Sequence, residues 1–174
     1  GTLQTFRSWN IPVVGGAPVG ISGTYAWLKS IGSLLDLDPK LIDQVAEEER
    51  AKAQAIVDAQ SLSGRIFVTG YEGTELAYAR MLVEAGAEVP YVSTSIGADP
   101  LVLPDELWLK AHGTQEVIYR KTLEDDVRAL DRYPPDLVLG TTPFASIAKE
   151  RGIPAMYFTN QLASRPFFLT GGLA

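Results

Sequence analysis

Apolar positions along the chain follow two periods that take turns. A short, partly β-branched run over 66–69 (Ile-Phe-Val-Thr) meets a turn bracketed by Gly70 and Gly73 and passes directly into a helical pattern beginning at Thr74. Strand, glycine-bracketed turn and helix in immediate succession open a β-α-β unit, and the same plan recurs downstream. The pattern predicts a helix over 74–85, a strand over 89–94, a helix over 104–111, a strand over 117–119, a helix over 123–132, a strand over 137–140, a helix over 143–151 and a strand over 155–159. Thr122 with Asp125 reads as a capping box, and Thr142, Pro143 and Gly152 supply cap, first turn and stop for the last helix. Right-handed crossovers then place helices on both faces of a parallel sheet, with expected strand order 3-2-1-4-5. In that order the switch point lies between the first and fourth strands, so Tyr71 and Glu72 are expected near Thr141 and Thr142.

The first 63 residues have a different pattern. Positions 2–9 and 10–14 read as a helix end passing through a Pro-marked turn into a short strand, the last step of a preceding domain. Gly15, Gly16, Pro18, Gly20 and Gly23 follow in a loop that lacks the Gly-Lys-Ser/Thr ending of a phosphate loop and the G-x-G-x-x-G spacing, and so reads as a crossing between domains. From Thr24, Trp27, Leu28, Ile31, Leu34 and Leu35 form one helical face. Asp38 and Pro39 open a second helix, whose buried side is expected to hold Leu41, Ile42, Val45, Ala53, Ile56 and Val57. The run Glu47, Glu48, Glu49, Arg50 reads as a solvated face, because consecutive helix residues point in different directions. The expected division is the end of a Rossmann-like domain over 1–20, a helical connector over 21–63 and a Rossmann-like domain over 64–174, excised from something longer.

Composition narrows the chemistry. With 46% hydrophobic and 21% charged residues among 174, the chain can bury a core, and its net charge of −6 offers no attraction to nucleic acid. It has no cysteine, which excludes disulfides, a cysteine nucleophile and an iron-sulfur cluster held by its own thiolates. No apolar run reaches the roughly 18 residues of a membrane helix, and the default expectation is a cytoplasmic location. No catalytic triad or metal-binding cluster can be assembled.

Candidate site residues come from topology. Glu72, a carboxylate between two glycines at a strand end, reads equally as a substrate contact and as a cap on the next helix. His112, the single histidine, is either a proton donor or a partner of terminal helix carbonyls. Beyond the last strand, Thr159, Asn160, Ser164 and Arg165 fall on the ligand-facing edge. Arg165 could hold a carboxylate bidentately or bridge to a neighbouring subunit, while Tyr157, Phe158, Phe167 and Phe168 line a pocket or pack a core. The substrate-binding set is Tyr71, Glu72, Thr141, Asn160 and Arg165.

Three stretches carry a resemblance: APVGISGTYAWL (17–28), PPDLVLGTTP (134–143) and GIPAMYFTNQLASRP (152–166). Together they resemble the nitrogenase component-1-like proteins, with YFTN followed by S-R-P pointing to the branch that supplies the Y subunit of chlorophyllide a oxidoreductases. The resemblance implies an α/β, Rossmann-like parallel sheet with flanking helices, preceded by a helical connector. It implies a part in the ATP-dependent reduction of the C7=C8 double bond of ring B of chlorophyllide a, in bacteriochlorophyll synthesis. The implied partners are a paralogous Z-type subunit in a heterotetramer, an ATP-dependent iron-sulfur electron donor and the tetrapyrrole. The implied 4Fe-4S cluster has its ligands outside this chain and ATP sits on the partner reductase, so the chain alone is expected to be inactive. Near alternatives are a protochlorophyllide reductase subunit or a nitrogenase cofactor scaffold. A further alternative is a non-enzymatic small-ligand-binding module on the same doubly wound architecture.

Overall fold

Each of the five apolar runs forms a strand in the computed structural model, which describes residues 2–157 and residue 169. The strands are β1 (Ile66–Gly70), β2 (Tyr91–Thr94), β3 (Glu116–Tyr119), β4 (Leu137–Gly140) and β5 (Ala155–Tyr157). They pair in the order β3-β2-β1-β4-β5, and every pairing is parallel. The helices are α1 (Thr2–Ser8), α2 (Gly20–Leu34), α3 (Pro39–Ala59), α4 (Glu75–Glu84), α5 (Leu103–Ala111), α6 (Leu123–Arg132) and α7 (Thr142–Glu150). The expected strand order and the α/β class are therefore both observed.

The central strand β1 is buried along its whole length, as a parallel strand covered on both faces must be. Ile66 and Val68 face one apolar cluster with Leu76, Leu82, Val92 and Leu109, under α4 and α5. Phe67 faces the other, with Tyr91, Leu130, Val138 and Phe144, under α6 and α7. Alternation along a single strand thus feeds two cores. The Thr122–Asp125 capping box forms as expected, with the Thr122 hydroxyl accepting from the Asp125 amide and the Asp125 carboxylate accepting from the Thr122 amide. Asp38 caps α3 by accepting from the Lys40 amide.

Four expectations need correction. Residues 10–14 form no strand: an extended segment becomes one only where a neighbouring strand offers its ladder, and this segment turns at Asn10 (φ 54°) and runs toward Leu101 instead. Helix α2 starts at Gly20 rather than near Thr24, because its first turn is capped from another element, as described below. Strand β2 starts after Pro90, which has no N–H to give a ladder, although Val89 is buried beside it. On α3, Leu41 and Val45 point outward, whereas Ala46, Ala53 and Val57 are buried. Ile42 packs on Gly32 of α2, where a Cβ would stand 2.5 Å from it, so the two helices approach closely there. The part of the expected last strand beyond Tyr157 lies outside the described residues.

Candidate functional site at the carboxyl edge of the sheet

Parallel pairing sends the carboxyl ends of all five strands to one edge. Val68 of β1 lies beside Leu139 of β4, so Tyr71, just past β1, and Thr141, just past β4, emerge as neighbours on that edge. The Tyr71 and Tyr157 hydroxyls are 2.6 Å apart. Because Tyr157 pairs with Gly140, this contact spans the end of β4. Thr141, rather than the expected Thr142, is the N-cap residue of α7, and it makes no side-chain capping bond.

Glu72 belongs to the opposite side of β1. It lines a cavity of about 270 Å³ with Gly73, Thr94, Ile96, Leu101 and Tyr119, roofed by the loop from Val13 to Ala17. Among the described residues, no Lys or Arg lines this cavity. Two of its acids are ion-paired, Asp99 with Arg7 at 3.6 Å and Asp105 with Arg80 at 2.9 Å. Burial, followed by the nearby Glu75 carboxylate, holds the Glu72 carboxyl above its ordinary value. Burial and then the charges of Glu72 and Glu75 push the Tyr78 phenol up to about 12. The structure therefore brings Tyr71 and Thr141 together and sets Glu72 around the other flank of the same turn. Asn160 and Arg165 lie outside the described residues, as do Phe158, Thr159, Ser164, Phe167 and Phe168.

Three polar features escaped sequence reading: Glu75 folds back on the turn just before it, while Glu84 and Asp126 join positions far apart in the chain. Glu75 is fully buried, and its two carboxylate oxygens each accept a backbone N–H at 2.8 Å, from Glu72 and from Gly73. Asp126, also fully buried, accepts from Thr69 Oγ1 (2.8 Å), Tyr91 OH (3.0 Å), Ser93 Oγ (2.5 Å) and the Lys121 ammonium. It thereby ties together the ends of β1 and β2 and the segment after β3. Burial, followed by the Asp126 charge, pushes the Tyr91 phenol well above its ordinary value. Glu84 of α4 accepts from the Ile21 amide (2.7 Å) and from the amide and hydroxyl of Ser22. A carboxylate from another helix thus caps α2, whose own N-cap residue, Val19, cannot. The spacing of an acid within its own helix gives no hint of such partners. His112 is the C-cap residue of α5, with Nδ1 2.7 Å from the Trp108 carbonyl and its ring stacked on the Trp108 indole at 3.7 Å; it does not line the cavity.

The sequence contains no cysteine, and among the described residues no group of three His, Cys, Asp or Glu side chains could hold a metal ion. Among the same residues, no helix is long and apolar enough to cross a membrane.

Comparison with known proteins places this geometry. The family model "Nitrogenase component 1 type Oxidoreductase" matches residues 5–173. The chain is 43% identical over 173 residues to the chlorophyllide reductase 52.5 kDa chain of Rhodobacter capsulatus, covering 98% of this chain and 34% of that protein. It is 44% identical over 174 residues to the chain of the same name from Cereibacter sphaeroides, again covering 34% of it. It is 29% identical over 151 residues to a light-independent protochlorophyllide reductase subunit from Methylocella silvestris, covering 85% of this chain and 29% of that protein. The structure described as nitrogenase Cp1 at pH 5 superposes with a TM-score of 0.67 at 18% identity, covering 95% of this chain and 40% of that one. The chain spans about a third of the length of the chlorophyllide reductase chains it matches. With a doubly wound sheet in the expected order and a family match along nearly its whole length, this chain belongs to the nitrogenase component 1 type oxidoreductases.

Proposed function

We propose that the chain is part of the catalytic component of a chlorophyllide a reductase, which reduces the C7=C8 double bond of ring B in an ATP-dependent reaction of bacteriochlorophyll synthesis. The observation that carries this reading is the 43% and 44% identity, over 98% of the chain, to two chlorophyllide reductase chains. Residues 64–174 form the Rossmann-like domain of the longer subunit, 21–63 the helical connector and 1–20 the end of a preceding domain. The subunit works in the cytoplasm within a heterotetramer with a paralogous Z-type subunit. An ATP-dependent iron-sulfur protein supplies the electrons, which reach the tetrapyrrole through a 4Fe-4S cluster whose ligands lie outside this chain. The chain's own contribution is positioning: a flat macrocycle needs an apolar slot with a few polar groups at its edge. Tyr71, Glu72, Thr141, Asn160 and Arg165 supply that edge. Among the described residues lining the cavity, Glu72 is the carboxyl without an ion pair.

The test uses the full-length subunit assembled with its partner subunit, electron donor and ATP, with pigment reduction followed by absorbance. The parent complex is expected to reduce chlorophyllide a. Glu72→Gln and Arg165→Ala are each expected to lower kcat/KM by about tenfold, the scale of one lost polar contact to the substrate. Parent rates in both variants would remove these residues from the site. A parent complex that reduces protochlorophyllide but not chlorophyllide would replace the reading with its neighbour, to which the Methylocella silvestris similarity points.

A further inference from the structure

The turn after β1 is where a doubly wound sheet ordinarily receives the phosphates of a nucleotide, on backbone amides at the start of the following helix. Here those amides already carry an anion. The Glu72 and Gly73 N–H groups donate to opposite oxygens of the Glu75 carboxylate, each at 2.8 Å, and that carboxylate is fully buried. Two further features fit the same arrangement. Gly73 adopts φ +89°, a conformation that side-chain-bearing residues rarely take and that lets successive amides converge. Gly70 leaves the space the carboxylate fills: a Cβ there would stand 2.2 Å from Glu75 Oε1. Among the described residues lining the neighbouring cavity, three are acids, Glu72, Asp99 and Asp105, and none is basic.

We propose that the β1–α4 turn is an anion seat filled by the protein's own Glu75, which makes Glu75 a specificity-determining residue that keeps phosphate-bearing ligands off this edge of the sheet. A second anion would have to displace a fully buried carboxylate from both amides and leave it unpaired, an unfavourable exchange. Uncharged, apolar parts of a ligand meet no such obstacle. The inference stands on the geometry of this turn and is independent of the reductase reading.

Inorganic phosphate and acetate are titrated by calorimetry into the full-length protein and into its Glu75→Ala and Glu75→Gln variants. Thermal unfolding is recorded in either anion against chloride at equal ionic strength. The parent is expected to show no saturable site for either anion. Glu75→Ala is expected to bind one of them at least about tenfold more tightly than the parent and to gain thermal stability in that anion beyond what chloride gives. Glu75→Gln, which keeps the side-chain volume and one accepting oxygen, is expected to fall between the two and carries the test should Glu75→Ala fail to fold. Phosphate binding by the parent as tight as by the variants overturns the proposal, as does a folded variant that responds to neither anion beyond chloride.

Discussion

Gly70 has no room for a side chain, and the reason is a buried charge rather than a crowded core. A Cβ at this position would lie 2.2 Å from Glu75 Oε1 and 2.8 Å from its Cδ. Moving the carboxylate away would break its bonds to the Glu72 and Gly73 amides. Gly70→Ala is therefore expected to cost about 2–3 kcal/mol, the scale of overpacking combined with lost charged hydrogen bonds, read as a drop in the urea midpoint. A loss below about 0.5 kcal/mol would show that the carboxylate yields freely. Asp126 is the second such residue. Its four partners, Thr69, Tyr91, Ser93 and Lys121, are all donors, so a carboxylate satisfies them all and a methyl group satisfies none. Asp126→Ala is expected to cost about 3–5 kcal/mol by leaving the Lys121 ammonium buried and unpaired. Adding Lys121→Met should restore part of that loss in the same denaturation experiment.

Helix boundaries were legible in proportion to how locally they are set. Helix α6 carries its whole start signal within four residues, and the Thr122–Asp125 box that spacing suggests is the one that forms. Bonds from the Thr122 amide and hydroxyl, then from Arg128, hold the Asp125 carboxyl down at about 2, below its ordinary 3.8. Because the folded state favours the ionised form, this contribution is complete above the ordinary value and disappears as pH falls through about 2. Asp125→Ala is expected to lose about 1 kcal/mol near neutral pH. The gap between parent and variant in denaturant midpoint should close between about pH 4 and pH 2, the window set by those two values. Helix α2 shows the opposite case. Its first turn contains no acid, and its N-cap residue, Val19, offers no acceptor. Its start depends on Glu84, more than sixty residues away, so periodicity placed it at Thr24, one turn too late.

At the scale of the molecule, the contact between Glu84 and α2 joins the helical pair to the sheet. Ile21, Ala53, Val57 and Ala85 form the small apolar cluster behind it, and Arg80 extends the polar side by pairing with Asp105 and lying over the Trp108 ring at 4.8 Å. Glu84→Ala is expected to speed amide hydrogen exchange at Ile21 and Ser22 while leaving exchange in β1, β2 and β4 unchanged. Faster exchange throughout the sheet would mean that the helical pair and the sheet open as one unit. The chain's periodicity, turn residues and capping pairs by themselves determined the alternation of elements, the parallel sheet and its strand order, because a β-α-β chain has few right-handed ways to close. They also placed Tyr71 and Thr141 on one edge. Only the tertiary structure decided which acids would be buried, that Glu72 would turn to the cavity rather than toward Thr141, and that Glu84 and Asp126 would each direct a charge at distant partners. A carboxylate's role depends on which donors reach it in space, and those donors lie on elements whose separation along the chain carries no record of their contact.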